Sequence, residues 1–112
     1  MSGKDYLPLM RLHCEAVIRK MRGKTLADWG QDENLRDAVC MRLLALAENV
    51  KGLLVQRPAL PDEMPDIPWR EIAKFRDKMA HHYEGIDYDV VWEIVEADIQ
   101  PLHQAILSLS EK

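Results

Sequence analysis

One long segment, from Asp32 to Gln56, limits the possible folds more than any other part of the sequence. Its apolar residues recur every three or four positions for more than five turns, which is the period of an amphipathic α-helix and not of a strand. Either Asp32 or Asn34 can cap the start of this helix. Its apolar stripe consists of Leu35, Val39, Leu43, Leu46, Ala47, Val50, Leu53 and Leu54.

Two shorter elements precede the long helix. Apolar side chains at helical spacing predict a first helix from Leu7 to Met21, and Gly23 is typical of a helix stop. Thr25 and Asp28 are residues that cap helices, so we expect a short capped turn ahead of the long helix.

Prolines separate the long helix from the next one. Residues 57–68 contain four prolines, which predict a loop rather than a strand. Pro68 suits the first position of a helix, where its missing N–H costs nothing. The apolar positions that follow predict a helix from Trp69 to about His82, which Gly85 ends.

The last helical region begins at Asp87, a typical N-cap. Pro101 interrupts its pattern, and since an interior proline kinks or restarts a helix, we expect a break near Asp98–Gln100. No segment reads as a strand. Residues 1–112 are therefore predicted to form one all-α domain, an up-down four-helix bundle with a bent C-terminal helix.

Length and composition restrict the class of protein. The chain has 112 residues, enough for one domain but not two. It has no apolar run long enough to cross a membrane and no apolar signal region at its start, so we expect a cytoplasmic protein. Cys14 and Cys40 lack metal-ligand spacing and are too few for a disulfide framework, so both are interpreted as reduced structural thiols.

Charge is unevenly distributed along the chain. The net charge of −4 argues against a nucleic-acid coat protein, which is usually basic. Residues 84–98, the acidic segment, contain six acids and no lysine or arginine. Two interpretations stay open: solvated helix faces, or an acidic face that meets a basic partner. Residues 19–24, the basic segment, contain no acid and four basic side chains, Arg19, Lys20, Arg22 and Lys24.

The residues best suited to chemistry lie between Arg76 and Tyr83. No glycine-rich phosphate loop, paired-cysteine motif or HExxH occurs, so no cofactor or metal is implied. Arg76 can donate two hydrogen bonds to a phosphate, and His81 can move a proton from a ribose 2′-hydroxyl. Asp77 lies one turn before His81 and can orient its ring. His82 is a supporting residue, and Tyr83 can bind phosphate or stack on a base.

These side chains alone leave alternatives open. Arginine, histidine and tyrosine are also common at a charged helix end. On one straight helix, Arg76 and His81 are about 140° apart, so one helix does not bring them fully together. Two copies that cross at a dimer axis would do so more easily, in a composite cleft.

The pattern around these residues resembles a known family. The string R-x4-H-x-Y at 76–83 resembles the signature of the HepT-like group of HEPN-domain proteins. The strings PWREI at 68–72, GID at 85–87, VWEI at 91–94 and DIQPL at 98–102 resemble its flanking pattern. The long helix matches in pattern, with AEN at 47–49 where the family often has GEA. The first helix matches only in character.

The resemblance implies a fold, a function and a partner. HepT-like proteins are helical homodimers whose motif lines a cleft between the subunits, and they act as ribonuclease toxins without a metal. Their antitoxin is a minimal nucleotidyltransferase that transfers AMP onto the motif tyrosine. Carried over to this sequence, Arg76 and His81 are the catalytic pair and Tyr83 is the AMP acceptor. Asp77 fits the polar residue usual after the arginine.

Three functions remain to be distinguished. The first is a ribonuclease toxin with RNA as its substrate. The second is a module that binds a nucleotide or the nucleotidyltransferase in the same cleft without cleaving anything. The third is a helical bundle that serves only as an assembly scaffold. An RNA cleavage assay separates the first function from the others, and titration with nucleotides identifies the second. Because a bare acidic face repels RNA, we expect the acidic segment to face the partner or the second subunit.

Overall fold

Helices account for the regular structure in the part of the chain that is described. The structure is a computed structural model that describes residues 5–81 and 85–111, with the side chains at positions 76 and 78–81 outside the description. Within these ranges the all-α prediction is confirmed, and the helices are α1 (Leu7–Met21), α2 (Leu26–Gln31), α3 (Glu33–Gln56), α4 (Leu60–Glu63), α5 (Trp69–His81) and α6 (Tyr88–Ser110).

A tight turn joins α1 to α2. Arg22 has φ −58° and ψ 122°, Gly23 has φ +74°, and the N–H of Lys24 donates to the carbonyl of the last residue of α1 at 3.0 Å. These values describe a type II β-turn, whose third residue needs the positive φ that glycine adopts without strain. Thr25 follows directly and forms a capping box with Asp28. The predicted helix stop and the predicted capped turn are both confirmed.

The start of α3 is also the predicted one. The Asp32 carboxylate accepts a hydrogen bond from the N–H of Leu35 at 2.9 Å, which satisfies one of the unpaired amides of the first turn. The helix then continues to Gln56, as the periodicity predicts. The predicted apolar stripe is the buried face of α3, with Leu54 only partly buried.

The proline-rich connection contains a short helix that the sequence did not indicate. Pro61 lies in the first turn of α4, where a missing N–H removes no helical hydrogen bond. Leu60 anchors this turn because its side chain is fully buried in the core. The indole Nε1 of Trp69 donates to the carbonyl of Met64 at 3.0 Å and fixes the connection to the start of α5.

α3 is the helix on which the others assemble. α1 and α5 pack along α3, and α6 packs against α1. Tyr6, just before α1, lies against Gly52 near the end of α3. Further along α1, Nη1 of Arg42 donates to Nδ1 of His13 at 3.2 Å. Because residue numbers rise along α1 as they fall along α3, these two helices are antiparallel.

A polar cluster joins α1 to α6. The carboxylate oxygen Oε2 of Glu15 accepts hydrogen bonds from Nε2 of His103 at 3.0 Å and from Nε of Arg11 at 2.9 Å. These hydrogen bonds, first that from His103, lower the pKa of Glu15 below its usual value. The carboxylate is therefore ionised at neutral pH.

The predicted break in the last helix is wrong. α6 continues from Tyr88 to Ser110 with Pro101 inside it. Proline removes one backbone hydrogen bond from the helix. Burial on both sides of Pro101 offsets this loss, because Val95 and Ile99 before it and Leu102 and Ile106 after it all belong to one core. The capping role predicted for Asp87 is confirmed.

The two thiols lie in the core, as the sequence predicts. Cys14 and Cys40 are free and buried. Burial raises the pKa of Cys14 to about 12 and that of Cys40 to about 11. No helix in the described ranges combines the length and hydrophobicity needed to span a bilayer.

The close approach of Tyr6 to Gly52 gives a test of the α1–α3 contact. A Cβ at position 52 would overlap the Tyr6 ring. We therefore expect Gly52→Ala to lower the free energy of unfolding by about 1–3 kcal/mol in urea titrations. In a Tyr6→Ala background the same change should instead stabilise the protein by about 1 kcal/mol, because alanine favours helix over glycine. The same sign in both backgrounds would contradict this packing.

Candidate active site on α5

The motif helix is held in place at its first residue. Trp69 is almost completely buried, and its indole N–H is satisfied by the preceding connection. Ile72 and Phe75 follow on the same helix, are partly buried and pack against the core. Burial of this apolar side against α3 fixes both the position and the rotation of α5.

The structure places part of the predicted site. Arg76 and His81 both lie within the continuous helix α5, and His81 is its last residue. The two positions are five residue steps apart, so their Cα atoms are about 7.5 Å apart along the helix axis and about 140° apart around it. Asp77 is exposed on the same helix, one turn before His81. His82 and Tyr83 lie outside the described residues, so the positions predicted for them stay predictions.

Position 76 breaks the polar pattern of α5. It follows Trp69 by seven residues and Ile72 by four, so it occupies the same side of the helix as these apolar residues. A basic residue at such a position contradicts the binary pattern of an amphipathic helix, and such conflicts are typical of functional sites. The sequence alone shows this conflict between a basic residue and its apolar neighbours on the helix. Position 81 lies about 140° around the helix from position 76, on a different side.

An aromatic cluster positions the start of α6, whose first residue follows the last residue of α5 by seven positions. The indole Nε1 of Trp29 donates to the carbonyl of Tyr88 at 2.8 Å, and Trp92 lies against the same indole with ring centroids 6.2 Å apart. Arg36 lies over the Tyr88 ring at 5.0 Å and donates to two carbonyls at the end of α2. The sequence did not reveal this cluster, since its members come from helices far apart in the chain.

A groove runs between α5 and α6 over α3. Its lining is largely apolar, but two carboxyl groups belong to it, one from each flanking helix. It is lined by Leu43, Leu46, Glu71, Ile72, Phe75, Ile94, Asp98, Ile99 and Leu102. Position 76 lies one turn beyond Ile72 along α5, on the side of the helix that lines this groove.

The environment of the groove affects the ionisation of one acid, Asp98. Partial burial beside the apolar lining raises the pKa of its carboxyl group, because the charged form loses hydration. The other acids of α6, Asp89, Glu93 and Glu96, are exposed. Among the described acids of the acidic segment, Asp98 alone lines the groove, and the others are exposed.

The side-chain types of the motif suit charge stabilisation and proton transfer at a phosphodiester. A guanidinium can bind two phosphate oxygens, and an imidazole one and a half turns away can exchange a proton near neutral pH. Within residues 5–81 and 85–111, no three histidine, cysteine or carboxylate side chains are grouped as a metal ion would require.

Comparison with known proteins identifies relatives along nearly the whole chain. The family model "Ribonuclease HepT-like" matches residues 10–109. A protein of Caldanaerobacter subterraneus subsp. tengcongensis named a "putative RNase" is 29% identical over 111 residues, covering 99% of this chain and 96% of its own. A Thermococcus cleftensis protein named "probable ribonuclease HepT" is 35% identical over 101 residues, covering 90% of this chain and 89% of its own.

A third relative carries an additional named activity. The Methanocaldococcus jannaschii protein named "gamma-glutamylcyclotransferase and putative RNase" is 31% identical over 109 residues. The match covers 97% of this chain but 48% of that protein, so this chain spans about half of its length. No solved structure matches the chain significantly.

The raised pKa of Asp98 predicts a pH-dependent effect of its replacement. Above the raised pKa, folding must partly dehydrate a charged carboxylate, so Asp98→Asn should stabilise the protein at pH 7. Below the ordinary aspartate pKa of 3.8, the group is neutral in both states and the gain should vanish. Urea titrations at several pH values between these limits test this, with exposed Glu96→Gln as the control. A constant effect across this range would contradict the assignment.

Proposed function

Because the chain belongs to the HepT-like ribonuclease family, we propose that it is a metal-independent ribonuclease toxin that cleaves RNA with the R-x4-H-x-Y motif on and after α5. Ribonuclease function is supported by the family and by the names of the relatives. The observation that carries the finer proposal is the placement of Arg76 and His81 in one continuous helix. The protein acts in the cytoplasm, where its RNA substrates are.

The proposed reaction is a transesterification within the RNA strand. His81 accepts the proton of a ribose 2′-hydroxyl, and the 2′-oxygen then forms a bond to the adjacent phosphorus. The bond from phosphorus to the 5′-oxygen breaks, and that oxygen takes up a proton as it leaves. Arg76 donates hydrogen bonds to the phosphate oxygens, on which charge builds in the transition state. Asp77 and His82 support the site by orienting these groups.

The angular separation of the two catalytic positions supports a site shared by two subunits. Positions 76 and 81 lie on different sides of α5, so one phosphate does not reach both from a single helix without strain. In a homodimer with twofold symmetry, α5 of one copy approaches α5 of the other and each supplies a residue to the cleft. The apolar lining of the groove beside α5 also favours a covered surface over an exposed one.

The proposed regulation acts on the motif tyrosine. A minimal nucleotidyltransferase, the antitoxin, transfers AMP from ATP onto the Tyr83 hydroxyl and releases pyrophosphate. The modification adds a negative phosphate and a bulky nucleoside beside the catalytic pair. Charge repulsion and loss of space then exclude RNA from the cleft.

Cleavage of RNA in EDTA tests the catalytic proposal. We expect wild-type protein to cleave, His81→Ala to lose about 10²–10⁴ in rate, and Arg76→Ala to lose about 10²–10³. Exposed Arg70→Ala on the same helix and His103→Gln on α6 are the matched controls and should retain activity. Circular dichroism confirms that each variant is folded.

Two results would contradict this catalytic assignment. The first is equal activity in the wild type and both motif variants. The second is activity that appears only when a divalent metal is added. If the wild type does not cleave RNA but binds nucleotides in calorimetric titrations, the non-catalytic binding module is the correct function.

Intact-mass measurement tests the regulatory proposal. Incubation with ATP and the nucleotidyltransferase encoded beside this chain should add one or more AMP groups to the wild type and abolish cleavage. Tyr83→Phe should gain no AMP and should stay active in the presence of the enzyme. Tyr88→Phe removes a different tyrosine hydroxyl and is the control, which should gain AMP as the wild type does. AMP on Tyr83→Phe would refute the proposed acceptor.

The exposed acids of α6 are proposed to contact the partner or the second subunit. Glu93→Lys with Glu96→Lys should weaken assembly, measured by size-exclusion chromatography with light scattering, more than it slows cleavage by the assembled protein. Asp62→Lys with Glu63→Lys on α4 changes the net charge equally and should leave assembly intact. A larger effect on cleavage than on assembly would reject this role.

A further inference from the structure

The basic segment lies at the same end of the molecule as the last residue of α5. The turn after α1 leads directly into α2, and Trp29 of α2 donates to the carbonyl of Tyr88, the first residue of α6. Residues 82–87 then connect Tyr88 back to His81. The chain therefore brings the basic segment and the end of the motif helix to one end of the helix assembly.

Three of the four basic side chains are not neutralised by the described chain. Arg19 and Arg22 are exposed, and Lys20 is partly exposed. Within the described residues, 5–81 and 85–111, none of these three side chains makes a hydrogen bond or an ion pair. Glu15, the only acid of α1, lies one turn before Arg19 but is already held by two other side chains.

Lys24 has different surroundings. Its charge helps to lower the pKa of Asp28, after the larger effect of the hydrogen bonds from Thr25. Nearby carboxylates offset this lysine, so the free positive charge of the segment is concentrated on its other three members. Lys24 shares a polar depression with Asp28, Asp32 and Glu33.

The basic segment is presented by a defined backbone. Arg22 is the second residue of the type II turn, which is closed by a backbone hydrogen bond of 3.0 Å. The capping box of α2 follows immediately and fixes the far side of the turn. A side chain on such a turn loses less backbone freedom on binding than one on an unstructured loop.

Stabilisation of α1 explains only part of this charge. Arg19 and Lys20 lie in the last turn of α1, where cations interact favourably with the helix dipole. Arg22 lies beyond the helix, is exposed and has no ion pair among the described residues. A chain of net charge −4 therefore keeps free positive charge at this end.

We propose that Arg19, Lys20 and Arg22 bind the phosphate backbone of the RNA substrate and guide the strand toward the end of α5. This inference rests on the proposed function, since it takes RNA as the substrate. Lysine and arginine that contact phosphates bind RNA without regard to sequence and position it for groups elsewhere. The exposed acids of α6 repel the strand, so the basic segment marks the side from which the strand approaches.

The salt dependence of binding tests this surface separately from cleavage. The probe is a fluorescein-labelled single-stranded 2′-O-methyl RNA of mixed sequence, which has no free 2′-hydroxyl to react. For each phosphate contact removed, the slope of log K against log salt should become shallower by about 0.7. We expect this change for Arg22→Gln and twice this change for Arg19→Gln with Arg22→Gln. Lys51→Gln, an exposed lysine near Gly52 at the opposite end of α3, should leave the slope unchanged.

Parallel cleavage of the unmodified RNA distinguishes the two proposals. If the wild type cleaves RNA but all variants keep its slope, or if Lys51→Gln changes the slope as much as Arg22→Gln, the inference is overturned and the proposed function stands. If the wild type does not cleave but the slopes change as expected, the proposed function fails and the RNA-binding surface is supported. If the arginine variants lose only binding to the nucleotidyltransferase, the surface belongs to that protein and the inference is overturned.

Discussion

Burial of the apolar face of α3 is the interaction on which the rest of the structure depends. α1 covers one side of this helix, α5 covers another, and α6 reaches the core by packing on α1. A chain of this length buries only about two thirds of the surface that it exposes when unfolded. Loss of contact along α3 would therefore separate the motif helix from the helices that hold the start of α6.

Most of the fold was predictable because local signals and the apolar pattern agree. Asp32, Thr25 and Asp87 are capping residue types that stand just before helical segments of the sequence. Each of them caps its helix. The error at Pro101 has the opposite cause. Proline is a strong local signal, but apolar side chains on both sides share one core, and their burial outweighs one missing hydrogen bond.

The candidate site was predictable only in part. The types and spacing of Arg76, Asp77 and His81 are read directly from the sequence, and α5 contains all three. The groove beside α5 and the contacts around Trp29 were not predictable, since they join residues that are far apart in the chain. The free charge of Arg22 also needed the structure, because it depends on which acids lie within reach.

The buried thiols make the opening of the core observable by chemistry. With pKa values of about 12 and 11, Cys14 and Cys40 are almost entirely protonated at neutral pH, and the thiolate is the reactive form. An exposed cysteine has a pKa of about 8.5, so opening of the core would raise the thiolate fraction by more than a hundredfold. The rate of alkylation therefore records how often the core around these thiols opens, without any substitution.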